Sequence, residues 1–380
     1  MNQLYMDNGA TSYPKAPGVA ERVYDYLKNI GTNSNRSSYG SSYEVERVVY
    51  ETRELICSLF HFDKPENVVF TKNVTESLNV LIKGIFKSGD HILISSMEHN
   101  AVMRPLNELE KKNITYTKIA CDREGVLDVN GIETYIRQNT KGIVMTHASN
   151  VCGTVLDIGS VGQICKRHGL LFIVDSAQTA GLLDIDLNGM HIDALAFTGH
   201  KCLLGPQGIG GFVINDRLAE QMGTLIEGGT GSLSDFEVQP DFMPDKFEAG
   251  TLNIPGIFGL SESLKYILKE TTKAIKEKEM ALTGMFIDNL INMDHIDLIG
   301  SKNILGRTGI VSIDFNHADN GIVAQRLYEK YGIITRSGLH CSPSAHQTLG
   351  TFPSGTVRFG LSHFMTTNDI RYAIDAIYKL

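Results

Sequence analysis

The chain predicts an α/β architecture, a mostly parallel sheet between helices with a smaller α+β domain after it. Three observations predict it. Apolar runs of strand length recur from about residue 65 to 215, helical patterns lie between several of them, and a long amphipathic stretch starts near Ile257. At 380 residues the chain exceeds the size at which a single core stops growing. Two domains are therefore expected, one over 15–260 and one built from 1–14 and 261–380.

The strand-like runs in order are Val68 to Phe70, His91 to Ser95, Gly142 to Thr146, Leu170 to Val174, Ala194 to Thr198 and Gly210 to Ile214. Helical patterns over Thr75 to Phe86 and Val161 to His168 separate some of them. This alternation places ligands at the carboxyl ends of the strands. The patch Glu227 to Ser232 is rich in glycine and reads as a mobile surface loop.

Composition narrows the function. Hydrophobic residues make up 42% and charged residues 21%, an ordinary globular balance. The formal net charge of -8, with no dense basic tract, argues against nucleic acid or an anionic membrane as the main partner. Apolar runs are far shorter than the roughly 20 residues of a spanning helix. The first residues lack a basic-then-apolar leader pattern, and the six cysteines form no C-x-x-C pair. A cytoplasmic protein with reduced thiols and no metal site is expected. No G-x-G-x-x-G joins the first strand to its helix, which argues against a dehydrogenase.

Two charged residues point to chemistry. Lys201 follows the run Asp193 to His200, and Asp175 ends the run Leu170 to Val174. A lysine near a strand is commonly a snorkelling surface residue, and an aspartate there is commonly a helix cap. Around Lys201, however, Thr198 and His200 offer phosphate ligands, and Gly199 and Gly205 allow close backbone approach to a flat ring. Together the acid and the amine suit pyridoxal 5'-phosphate (PLP): Lys201 to form the Schiff base and Asp175 to keep the pyridinium nitrogen protonated. Gln178 lies one short turn on and can donate to the phenolic oxygen.

Other candidates follow from the same strand ends. Val74 and Thr75 open a helix whose free N–H groups suit a phosphate. His99 sits at the same rim, able to stack on the ring and shuttle protons, and Asn150 can donate to the cofactor or a substrate carboxylate. In the C-terminal part, Cys341 lies in a turn-rich loop after Arg336 and beside His340, where positive charge favours a nucleophilic thiolate. Arg358, flanked by apolar residues, suits bidentate capture of a carboxylate or a structural ion pair.

Together these residues resemble the class V aminotransferase-like PLP enzymes of fold type I, and within them the cysteine desulfurases and selenocysteine lyases. The resemblance runs from Met6-Asp7-Asn8-Gly9-Ala10-Thr11-Ser12 through Glu98-His99, Ser149-Asn150, Asp175 to Gln178 and Thr198 to Lys201. It closes with Phe247 to Thr251, Arg336 to Cys341 and Thr356 to Phe359. The loop Arg336 to Cys341 is similar to the group II, SUF-type pattern. The resemblance implies a seven-stranded, mostly parallel sheet in the large domain. It also implies Lys201 as the Schiff-base lysine, Asp175 as the pyridinium partner, His99 as the stacking residue and Gln178 as the phenolate donor. Thr75, Thr198 and His200 would be phosphate ligands, Cys341 the persulfide carrier and Arg358 the carboxylate ligand. Family members are homodimers in which the threonine matching Thr251 reaches the neighbouring subunit's phosphate.

The implied activity converts L-cysteine to L-alanine, with sulfur passing to Cys341 and then to an acceptor protein. Alternatives are release of selenide from L-selenocysteine, another class V lyase or transaminase, and a PLP-holding scaffold without turnover. Two positions depart from the pattern: Tyr39, where relatives commonly carry histidine, and Asn100, where many group II enzymes carry a second one.

Overall fold

Seven strands form the main sheet in the order Val68–Thr71, Gly210–Ile214, Ala194–Thr198, Leu171–Asp175, Thr140–Thr146, His91–Ser95 and Thr115–Ile119. The computed structural model describes residues 3–33, 40–316 and 318–380, so Tyr39 lies outside the described residues. Gly210–Ile214 runs antiparallel to both neighbours, and the remaining pairings are parallel.

Helices cover both faces, and the strand side chains show why. Along Leu171–Asp175, Phe172 and Val174 join one buried cluster, while Leu171 and Ile173 join the other. Ala194 and Ala196 oppose Leu195 and Phe197 in the same way. Alternation that is apolar on both faces is the mark of a strand buried between two helical layers. Each fully buried large side chain contributes roughly 1.5–3 kcal/mol.

The strand Thr115–Ile119 escaped the sequence reading. Its Tyr116 and Lys118 are only half-buried and Thr115 is exposed, so it carries the mixed pattern of an edge strand rather than an apolar run. The long stretch from Ile257 is two helices, Ile254–Glu270 and Thr272–Leu290. Thr271 divides them: its φ of 70° leaves the right-handed region, and its hydroxyl caps the second helix by accepting the Ala274 N–H at 3.2 Å.

A four-stranded antiparallel sheet follows, in the order Arg336–Gly338, Thr356–Gly360, Ile310–Phe315 and Ile296–Ile299. It packs a third cluster that includes Phe286, Phe315 and Phe359. The N-terminal strand Leu4–Tyr5 pairs with Ile333–Ile334, which carries Met6 into that cluster and Asp7 beside Gly360.

Candidate active site at the strand ends

Parallel strands send their carboxyl ends to one edge, so the loops after them converge. Asp175 ends Leu171–Asp175, and Thr198 ends Ala194–Thr198 just before His200 and Lys201. His91–Ser95 leads to His99, Thr140–Thr146 leads to Asn150, and Val68–Thr71 leads to Val74 and Thr75 in the first turn of Val74–Ile85. Asn73 caps that helix by accepting the Glu76 N–H at 3.0 Å, and the earlier first-turn amides have no partner within the helix.

Burial sets the charges here. Asp175 is buried, and one of its oxygens accepts the Ala177 N–H at 2.9 Å. Burial pushes its carboxyl up, while the Ala177 N–H and Lys201 oppose the shift. Lys201 is displaced the other way: burial lowers its amine, Arg358 and Arg336 add to this, and Asp175 resists. A depressed amine is a better nucleophile. Among the described residues Lys201 Nζ has no hydrogen-bond partner.

His99 caps the helix Asn100–Glu110, its Nδ1 accepting the Ala101 N–H at 3.0 Å. Burial, then Lys201 and three arginines, pull its pKa down to about 3, so the ring is neutral. With Nδ1 accepting, the ring hydrogen sits on Nε2. Behind it Glu98 is wholly buried, taking the Thr146 N–H on both oxygens, at 3.0 and 3.1 Å, and the Ser95 hydroxyl on one.

Cys341 is the one exposed thiol of the six. Its turn is costly, because His340 (φ 49°) and Cys341 (φ 59°) both occupy the left-handed region without being glycine. Four contacts hold it. Asn150 Nδ2 donates to the His340 carbonyl at 2.7 Å, Ser342 Oγ donates to Asn150 Oδ1 at 2.7 Å, and the Asn100 N–H donates to the Cys341 carbonyl at 2.9 Å. The fourth is His340 Nε2 to Thr356 Oγ1 at 3.1 Å. Ser312 gives its hydrogen to the Val151 carbonyl and Thr356 gives its own to Ser312, so His340 must donate to Thr356. Arg336 Nη2 lies 3.9 Å from Cys341 Sγ. Thr75, His99, Asn100, Arg104 and Cys341 line one open cleft of about 320 Å³.

Three side chains have engagements that the sequence reading did not anticipate. Asn150 is committed to the Cys341 turn, with one amide hydrogen left for a ligand. Gln178 Nε2 donates to the Gly9 carbonyl at 3.1 Å. Arg358 is buried, with Nη1 on the Asn150 carbonyl at 3.0 Å and Nη2 paired to Asp7 at 2.9 Å, while Nε is buried without a partner and each Nη keeps a second hydrogen. Gly199 is needed for a different approach than expected, since a Cβ there would meet Ile209 Cγ2 at 2.9 Å. Thr251 is exposed and does not line the Cys341 cleft; it lies in a groove with Thr71, Lys72 and Phe247.

Asp7, Glu98 and Ser342 carried no individual role in the sequence reading. Asp7 and Arg358 are 351 positions apart, and no local pattern announces such a pair.

The polar groups left unsatisfied fit PLP. Thr198 Oγ1 and His200 Nδ1 are buried without a partner on either side of Gly199, as suits phosphate oxygens. Asp175 is a buried acid whose ionised form a cationic ring nitrogen would favour.

The chain is similar to known proteins along nearly its whole length. The profile of the aminotransferase class-V family matches residues 4–372. A probable cysteine desulfurase of Methanothermobacter thermautotrophicus is 32% identical over 376 residues, spanning 97% of this chain and 92% of its own. The cysteine desulfurase IscS of Salmonella schwarzengrund is 29% identical over 391 residues, spanning 99% of this chain and 92% of its own. The solved apo structure of a cysteine desulfurase from Thermococcus onnurineus superposes with a TM-score of 0.92 at 30% identity, covering 99% of this chain and 94% of that one. The chain belongs to the class-V aminotransferases, the family of PLP-dependent enzymes that includes these desulfurases.

Proposed function

We propose that the protein is a PLP-dependent cysteine desulfurase, taking sulfur from L-cysteine onto Cys341 and leaving L-alanine. The observation that carries this is the Cys341 turn: an exposed thiol, held in a strained conformation beside Arg336, opening into the cleft that His99 and Thr75 line. Thr75, Thr198 and His200 would hold the cofactor phosphate, Asp175 its ring nitrogen and Gln178 its phenolic oxygen. Bound there, PLP supplies an aldehyde for the substrate amine and a ring that accepts the electron pair of the broken Cα–H bond.

The chain's own groups do the rest. Lys201, whose amine burial holds below its ordinary range, takes the proton from the substrate Cα. The guanidinium hydrogens that Arg358 keeps and the remaining Asn150 hydrogen orient the carboxylate. His99 Nε2–H faces the cleft as a donor. The Cys341 thiolate attacks the substrate sulfur: an S–S bond forms, the Cβ–S bond breaks, the pair left on Cβ is protonated to the methyl of alanine, and Lys201 returns its proton to Cα. The persulfide then passes to a thiol of an acceptor protein.

The proposal extends to a homodimer and to the cytoplasm. Thr251 and the exposed Tyr50 line a groove that shares no lining residue with the Cys341 cleft, which supports a second subunit there, and six free cysteines suit a reducing compartment. The proposed division, 15–260 against 1–14 and 261–380, assigns Lys201 to one unit and Cys341, Arg336 and Arg358 to the other.

A Cys341→Ser variant tests the reading. Sulfide and alanine production from L-cysteine should fall at least about 100-fold while the visible absorbance of bound PLP persists. Unchanged turnover removes Cys341 from the mechanism. Selenide release that survives without Cys341 would instead favour a selenocysteine lyase.

A further inference from the structure

Four donors from the N-terminal segment converge on one carbonyl, that of His200, the residue before Lys201. Lys15 Nζ donates to it at 3.1 Å, the hydroxyls of Thr11 and Ser12 at 3.1 Å each, and the Ser12 N–H at 2.9 Å. Lys15 also donates to Thr11 Oγ1 and Ser12 Oγ, both at 3.2 Å. The hydrogens balance: three on the ammonium, one on each hydroxyl and one on the amide, all used. A peptide oxygen has two lone pairs, so this one is crowded with donors.

No carboxylate pairs with Lys15 among the described residues, and the side chain is half-buried. A cation held in this way by neutral oxygens has little use as a surface charge. The geometry around Lys201 supplies one. The carbonyl of Lys201 itself accepts the Leu204 N–H at 2.8 Å, and Gly199 is tied at both N–H and carbonyl, to Ile209 and Gly205. The peptide between His200 and Lys201 is instead fixed by residues about 185 positions earlier in the chain.

We propose that Lys15 is a positioning residue for Lys201, clamping the His200–Lys201 peptide so that the amine holds one position through binding and proton transfer. Lys15 touches neither cofactor nor substrate in this role. It acts by locking the plane of the peptide from which the Lys201 side chain departs. Because the ammonium also organises the Thr11 and Ser12 hydroxyls, its removal loosens all the side-chain donors at once.

This deepens the desulfurase reading and rests on it for its kinetic arm. The test compares Lys15→Met, Lys15→Gln and Thr11→Val with the parent. In Lys15→Met, kcat for alanine formation should drop about 10- to 100-fold while KM for cysteine stays within about threefold, as expected for a misplaced catalytic group. Lys15→Gln, which keeps a donor, should lose less, and Thr11→Val, which removes a single donor, least. Amide exchange gives the second arm, measured in protein stripped of PLP. In Lys15→Met, protection should fall about tenfold or more at 199–202 and remain at parental values in the main-sheet strands. A kcat within twofold of the parent overturns the proposal, as does exchange that quickens evenly across the sheet, the sign of a merely structural residue. If the parent itself releases no alanine from cysteine, the desulfurase reading fails, and the exchange arm still decides the clamp.

Discussion

Asn150 and His340 are 190 positions apart in the chain and joined by one hydrogen bond, from Asn150 Nδ2 to the His340 carbonyl at 2.7 Å. With the return bond from Ser342, it straps the exposed thiol's turn to the end of the strand Thr140–Thr146. Both left-handed residues of that turn depend on such bonds, since each costs on the order of 1–3 kcal/mol unsupported.

Replacing Asn150 with alanine should therefore relax the turn and slow sulfur transfer about tenfold or more, with PLP affinity little changed. Steady-state desulfuration beside an absorbance titration of the stripped protein checks this. Loss of PLP affinity with unaltered transfer would instead place the remaining amide hydrogen on the cofactor.

The ion pair between Asp7 and Arg358 closes the N-terminal segment onto the second sheet. Asp7→Ala leaves a buried guanidinium short of its partner, and unfolding in urea should show a loss of about 3 kcal/mol. Asp7→Asn, which still accepts a hydrogen bond, should lose less. Equal stability in all three proteins would mean that the pair contributes nothing to the fold.

Thr198 Oγ1 is a buried hydroxyl without a partner until an anion arrives. Thr198→Val should consequently have two effects of opposite sign. The stripped protein should gain about 1 kcal/mol in stability, because an unsatisfied polar atom is gone. PLP should bind about tenfold more weakly, because a phosphate donor is gone. A thermal melt without cofactor and a titration with it report the two effects separately.

Stability should fall as the solution becomes alkaline. The Glu98 carboxyl stands at about 8 in the folded chain, against its ordinary 4.5, mainly because it is buried. Between those values the folded chain holds a proton that the unfolded chain has released. The stabilisation is complete below pH 4.5 and is lost as pH rises through 8. Glu279, raised to about 7 by burial, acts in the same direction. Histidines act on the acid side: His99 and His147, both lowered to about 3, cost stability as pH falls below their ordinary 6.5. A Glu98→Gln variant should lose less melting temperature between about pH 6 and about pH 9 than the parent does. Parallel curves for the two proteins would exclude Glu98 as the source.

Much of the scaffold is readable in the residues because its signals are local. The runs at Leu171–Asp175 and Ala194–Thr198 are long enough and apolar enough to be buried strands, and Asp175 and Lys201 lie where such strands open. The edge strand Thr115–Ile119 was not readable, since half-exposed positions dilute the apolar pattern. The break at Thr271 was hidden too, because a threonine can cap a helix or continue one, and packing decides which.

The sequence by itself determined the chemistry on offer: which acid, which amine, which thiol, and the strand or turn that carries each. Only the tertiary structure decided how those groups are engaged: Asp7 on Arg358, Asn150 on the Cys341 turn, and Lys15 on the carbonyl before Lys201. The physical reason is range. Backbone geometry and side-chain burial follow from a few neighbouring residues, whereas a hydrogen bond between groups hundreds of positions apart exists only once the sheets have brought their loops together.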